Sequence, residues 1–344
     1  MKYWTLIGCI FFWLSPGKAS AQDFKKAGEY FGYISQQHKE IAKDVLTYSG
    51  AIAHGKSAKK VESKRQAVLQ SIQESTKRIS AMPPFEEDKS LRDSTVAYLK
   101  TAFLVMNNEY EKILNMEEIA EQSYDAMETY LLAQELADKH MNKAEHSENA
   151  TVKEFAAKHK ITLSAEDHDE IHEKLKITSQ VNAYHRMVYL VFFKSNKQEV
   201  YLVDAITKKN LSAVEQNKSV LSQYVEDGLK KLDTMKAYQN DRSLVLATKQ
   251  MLEFYQNECT NKIPILSNFL IKEEEMAKTK KAFDAKKDTE RTKEEVNEYN
   301  KAINEFNTLV GTYNTTIKGL NQERTKVLTD WDKTSSSFLD KHVP

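Results

Sequence analysis

The chain has 344 residues, 50 basic against 50 acidic side chains, and only nine glycines and five prolines. A formal net charge of zero leaves no electrostatic footprint for nucleic acid, which is held by clustered lysine and arginine. So little turn vocabulary, with no alternating β-branched runs between Gly-rich turns, excludes a β-rich fold and predicts an all-α protein.

The first element is a leader. Lys2 precedes a nearly unbroken apolar run from Tyr3 to Leu14, which Ser15, Pro16 and Gly17 end. Ala19-Ser20-Ala21 supplies small residues for cleavage, so residues 1–21 read as a secretory signal peptide. Its core is too short to span a bilayer. The mature chain is expected to start at Gln22, with 48 bases, 50 acids and no transmembrane helix. Leu6-Ile7-Gly8-Cys9 resembles a lipoprotein cleavage box, but cutting there would leave only a few residues of the apolar run. Loss of Cys9 leaves Cys259 alone, and a lone cysteine reads as a small buried apolar side chain.

Helices follow in order. The first is expected from about Phe24 to Tyr48, stopped by Gly50, and the second from Ser57 to the Pro83-Pro84 pair. Val61, Val68, Ile72, Ile79 and Met82 give the second its seam at spacings of three and four. A third starts near Asp88 or Ser90, and its stripe through Leu91, Leu99, Met106, Ile113, Met127 and Leu131 can be followed to about His146. Unbroken, it would be about 90 Å long at 1.5 Å per residue. The polar stretch "NKAEHSENA" is read as the end of this half. Thr151 with Glu154, then Ser164 with Asp167, suggest capping boxes for a short and a longer helix. The longer one carries "MVYLVFF", Met187 to Phe193, apolar on all sides and therefore expected to be central. Helices from about Asn210 to Met235 and from Asp241 onward come next, with Pro264 kinking or restarting the latter. The last helix alternates Val296, Tyr299, Ile303, Phe306, Val310, Tyr313, Ile317 and Leu320 and continues to Phe338, a coiled-coil-like seam interrupted by Arg324 and Thr334.

The halves repeat each other. "KVESKR" aligns with "AVEQNK" and "AMPPFEEDKSL" with "TMKAYQNDRSL" at one gapless offset, placing Val61 on Val214, Ile79 on Leu232 and Asp88-Lys89-Ser90-Leu91 on Asp241-Arg242-Ser243-Leu244. The shared connection is harder to reach by convergence than a shared seam, so a duplicated helix–helix–helix unit is expected. The division is residues 22–163, then residues 164–344 with an added C-terminal helix, together an elongated bundle of long antiparallel helices. The shared Asp and Ser are read as helix N-caps.

Three constellations could carry chemistry. "GAIAHGKS", Gly50 to Ser57, fits the phosphate-loop pattern, but a real loop joins a strand to a helix and "HKEIAKDVLTYS" before it reads as helix. No nucleotide is therefore expected. His168 and His172 in "HDEIH" share a helical face and could hold zinc, yet Asp169 stands where a metalloprotease needs Glu and no third ligand is identified. An acidic first turn favoured by the helix dipole, with solvated histidines, is the stronger reading. A di-iron bundle needs Glu-x-x-His pairs, which the chain lacks. His185, beside the apolar run, reads as a packed histidine. No Ser–His–Asp or Cys–His set can be assembled, so no catalytic, cofactor-binding or metal residue is assigned.

"AHGKSAKKVE", "KSLRDSTVAYLK", "MEEIAEQSYDAMETYLLAQELA", "KKAFDAK" and "FLDKHVP" resemble segments of an uncharacterised family of exported, helical bacterial surface proteins. The resemblance covers essentially the whole mature chain and implies a periplasmic, cell-surface or extracellular helical protein without a known activity. The expected function is binding or scaffolding, with an envelope or extracellular protein or polymer as partner. The alternative is an exported metal-binding protein or metal-dependent enzyme centred on His168 and His172.

Overall fold

The repeating apolar seams pack side by side into an all-helical bundle. The computed structural model describes residues 24–53, 58–111, 120, 122–163 and 170–344, and among them there is no strand. The expected leader lies outside them. The helices are α1 (Ala27–Ala53), α2 (Ala58–Ser80), α3 (Ser90–Leu104), α4 (Tyr124–Lys158) and α5 (Glu170–Thr207). They continue as α6 (Leu211–Thr234), α7 (Ser243–Asn257), α8 (Ile263–Asp284) and α9 (Lys293–His342). Within the described helices, none is long and apolar enough to cross a membrane.

Four boundaries differ from expectation. Gly50 lies inside α1, which runs on to Ala53. The apolar stripe after Ser90 does not form one helix: α3 passes into a π-helical turn at Val105–Glu109, Tyr110 and Glu111 are helical again, and α4 starts afresh where the Ser123 side chain accepts from Ala126 N–H. Both helices present the same periodicity and pack against each other, with no glycine or proline between them to mark the reversal. "NKAEHSENA" is helical throughout within α4. Thr151 is likewise mid-helix, its hydroxyl near the Ser147 carbonyl rather than capping an end. The Ser164–Asp167 cap lies outside the described residues.

Two large cores and a small cluster of Val105 with Ala137 fill the bundle. One joins Tyr30, Ile34, Val68, Ile72, Ile79, Leu91, Leu99 and Phe155, and the expected α2 seam is buried along its length. The other joins Val188, Leu202, Val214, Leu221, Leu244, Leu252, Tyr255, Trp331 and Phe338. Burying each such aliphatic or phenyl side chain stabilises by about 1.5–3 kcal/mol. α5 packs on α1, α4, α6, α7 and α9, so its apolar run is central, although Met187 at its edge is half exposed.

The connections before α3 and α7 are built alike. Phe85 and Asp88 exchange backbone hydrogen bonds of 3.1 and 2.8 Å, and Tyr238 and Asp241 exchange bonds of 3.0 and 2.7 Å. Between them, φ is 47° and 66° at Glu86 and Glu87, and 47° and 67° at Gln239 and Asn240. Left-handed backbone costs a non-glycine residue roughly 1–2 kcal/mol, so surrounding contacts must hold each turn. Asp88 and Asp241 supply them. Each Oδ1 accepts the backbone N–H of the serine two residues on, at 2.8 Å, but the N-cap positions are Lys89 and Arg242, which make no side-chain cap, so neither the Asp nor the Ser is the cap expected. Each Oδ2 meets the end of a distant helix: Lys158 Nζ at 2.7 Å and His159 Nε2 at 3.1 Å, or Lys341 Nζ at 2.8 Å and His342 Nε2 at 3.0 Å. Phe155 stacks on Tyr30 and Phe338 on Tyr184, at centroid distances of 5.8 and 5.7 Å. The last turn of α9 thus sits as the last turn of α4 does, and to that extent α9 has a counterpart in the first half.

The expected α9 seam is graded. Leu320, Trp331 and Phe338 are buried, Tyr299 to Ile317 are half-buried, and Val296 is exposed. The half-buried part packs on α8, with Phe283 stacked on Tyr299 and Phe269 on Phe306 and Tyr313.

Candidate functional site

Charged side chains belong in water unless they are paired, so buried ones mark the places where the bundle does more than pack. The most concentrated group lies in the second half. After α7 the helix widens into a π-helical turn, Glu258–Lys262, just ahead of Pro264, which has no N–H to give to the preceding turn. Glu258 opens this turn and is fully buried. Arg324 of α9, whose side chain is 15% exposed, donates from Nη2 to Glu258 Oε1 at 2.8 Å. Its Nε donates to Glu199 of α5, which is 2% exposed, and its Nη1 to Asn321 at 2.6 Å. Next to this group, Tyr255 Oη accepts from Asn196 at 2.9 Å. Burial first, and then the Glu199 charge, push the Glu258 carboxyl up to about 7 despite Arg324. Glu199 is raised too, again chiefly by burial.

The first half has a different pair, with its carboxylate buried and its histidine half-buried. Glu148 of α4 is 5% exposed, and its Oε1 lies 3.3 Å from His38 Nε2 of α1. The His38 ring meets Tyr98 at 5.7 Å. Burial pushes the Glu148 carboxyl up to about 7, with the Thr95 hydroxyl opposing the rise.

Neither group was identified from the sequence, because acids and bases on helices read as the solvated face. One signal was available: Arg324 falls in the α9 seam register, where a charge needs a buried partner. Arg65 is buried as well, and it closes the first π-turn by donating to the Met106 carbonyl at 2.9 Å while Glu62 takes its Nε and Nη2.

The sequence candidates separate. The segment before the phosphate-loop match is helical, as expected, while His54, Gly55, Lys56 and Ser57 lie outside the described residues. His168 also lies outside them, and so does the side chain of His172. Among the described residues, no group of three or more His, Cys, Asp or Glu is placed to hold a metal ion. Cys259 is buried, and burial pushes its thiol up to about 11, away from reactivity. His185 is packed as expected, with Nε2 2.8 Å from Ser335 Oγ, and burial lowers its pKa to about 4.

On the outside, two shallow open grooves run along the middle of α9. One is lined by Asn314, Ile317, Lys318, Asn321, Gln322 and Thr325. The other lies between α9 and the π-turn, with Lys262, Thr312, Thr315, Gly319 and Glu323 among its lining. Their walls combine amides and hydroxyls with the apolar side chains of Ile317 and Leu320 and the charges of Lys262, Lys318 and Glu323. Comparison with protein-family models, with curated proteins and with solved structures finds no match to this chain.

Proposed function

We propose that this is an exported helical-bundle protein that binds an envelope or extracellular protein or polymer along the middle of α9. Support for export comes from the leader and from the family resemblance. The observation that carries the binding reading is the composition of α9. Charged residues make up 29% of the chain, yet Asn307 to Thr316, "NTLVGTYNTT", contains none. Gly311 and Gly319 are exposed, and a Cβ added at either would meet nothing within 4 Å. Each glycine costs a helix about 1 kcal/mol relative to alanine, and the internal packing gives nothing in return. Such a face suits a neutral, hydrogen-bonding partner that comes close to the backbone.

The likeness of the two halves supports a duplicated unit, residues 22–163 and 164–344, that has extended its final helix in the second copy. The longer α9 provides lateral surface that α4 does not.

The test is made in the native host. Intact mass of the exported protein should correspond to a chain starting at Gln22, without lipid. Envelope extracts passed over the mature protein should leave one partner bound to wild type and absent from an Asn314→Arg/Asn321→Arg variant of unchanged helicity. A partner retained equally by both would move the binding face elsewhere.

A further inference from the structure

The two halves place different side chains at corresponding positions, and the differences concern charge. Tyr30 corresponds to Tyr184 and Phe155 to Phe338 through matching contacts, and the two π-turns, Val105–Glu109 and Glu258–Lys262, correspond through the gapless repeat. Read along these helices, Glu199, Glu258 and Arg324 stand where the first half has Val45, Val105 and Met141. Val105 is buried in an apolar cluster, and Val45 and Met141 are half-buried and packed against the apolar cores. A helical unit of this design therefore closes without the charged group.

Its charges do not cancel. Two buried carboxylates share one guanidinium, and among the described residues no second cation hydrogen-bonds either of them. Glu258 Oε2 is buried without a hydrogen-bond partner. The groups facing it are known from each element: Glu199 and Asn196 from α5, Tyr255 from α7, Cys259 beside it in the turn, and Arg324 and Asn321 from α9. Glu323 acts on it as a further negative charge, and Lys218 of α6 meets the neighbouring Cys259 through its backbone carbonyl. An uncompensated carboxylate in the interior costs several kcal/mol, and taking a proton from solvent removes that cost.

We propose that Glu199, Arg324 and Glu258 form a one-proton binding site, with the proton on Glu258, and that its occupancy sets how firmly α9 is held against α5 and the π-turn. With the proton bound, one carboxylate and one guanidinium remain and the group is neutral. Without it, α9 is anchored across a net negative charge. The folded carboxyl titrates near 7, above its ordinary value, so the stability it contributes is complete below the ordinary carboxylate range and is lost as pH rises through about 7.

The experiment uses the full mature chain with ¹³C-labelled glutamate carboxyls. Wild type should show a carboxyl resonance titrating near neutral pH that disappears in Glu258→Gln and persists in Glu148→Gln, the control for the raised carboxyl of the first half. Between pH 5 and 8 the wild-type folding constant should fall by at least tenfold more than that of Glu258→Gln. Amide exchange around Leu320 to Trp331 should accelerate over the same range in wild type alone. If no resonance is lost specifically with Glu258, or if Glu258→Gln keeps the wild-type pH dependence, the proposal is overturned. Should Glu258→Gln fail to fold, the wild-type and Glu148→Gln titrations decide: no near-neutral resonance beyond that of Glu148 is the contrary result.

Discussion

Phe192 and Trp331 stack face to face, with ring centroids 3.7 Å apart and planes 11° from parallel. Trp331 Nε1 also donates to Thr248 Oγ1 at 3.0 Å. At the positions that the proposed repeat aligns with them, the first half has His38, Glu148 and Thr95, so an aromatic stack in one half stands against a partly buried His–Glu pair in the other. Trp331 is the only tryptophan after residue 21, which makes its fluorescence a direct report on this contact.

Thr248→Val keeps the shape of the site and removes the acceptor for the indole N–H. Leaving that buried donor unpaired should cost about 1–3 kcal/mol. Urea unfolding followed by Trp331 fluorescence measures it. A midpoint equal to wild type would show that the indole finds another acceptor.

Glu148→Gln tests the first half's pair. The folded carboxyl is raised to about 7, so its stabilising contribution is present at low pH and lost as pH rises through that value. The variant should therefore gain on wild type between pH 5 and 8, by roughly 2–3 kcal/mol for a shift of this size. Parallel stability curves across that range would contradict the burial argument.

Asp88 and Asp241 behave in the opposite sense. Burial alone would raise them, but the hydrogen bonds from Lys158, Ser90 and His159, and from Lys341, Ser243 and His342, outweigh it and hold both carboxyls below the usual range. Their stabilisation is present above the unfolded carboxylate value and lost as pH falls through the folded one. Asp241→Asn should cost about 1–3 kcal/mol at pH 6, a deficit that starts to shrink below about pH 4 and approaches zero only as pH falls through the folded value. A deficit that stays constant down to that pH would point to geometry rather than charge.

Gly228 lies in α6 where an added Cβ would be 2.8 Å from Leu252 Cδ1 and 3.1 Å from Val191 Cγ1. Both neighbours are buried and cannot swing clear. Overpacking should outweigh the gain in helix propensity, so Gly228→Ala should lose about 1–2 kcal/mol. Thermal unfolding decides, and a higher midpoint would mean the core yields.

Helix type and most seams were legible in the sequence because burial obeys the 3.6-residue period: Val61 to Met82, Val214 to Leu232 and the later α9 seam all face inward. The turn between α3 and α4 was not legible, since both helices continue one stripe and no breaker separates them. The Phe-x-x-Lys-His endings of α4 and α9 were visible as a pattern, but their meaning needed Asp88 and Asp241 brought across the fold. The buried carboxylates were hidden for a related reason. Glu148, Glu199 and Glu258 sit among other acids, and only three-dimensional neighbours distinguish a buried one.

The binding reading makes a prediction on stability and recognition together. Gly311→Ala with Gly319→Ala should raise the thermal midpoint, because each gains helix propensity of about 1 kcal/mol in open space. The same change should weaken partner capture by filling the close approach to the backbone. Stabilisation with undiminished capture would remove the reason for keeping those glycines.

The most direct measurement places a photo-crosslinking residue at Asn314 or Gln322 of the chain in its native host, with Lys230 on α6 as the exposed control. The account predicts one recurrent envelope or extracellular adduct at both α9 positions, absent at Lys230 and abolished by Asn321→Arg. Adducts no different from those at Lys230, in a protein that is exported and folded, would contradict it.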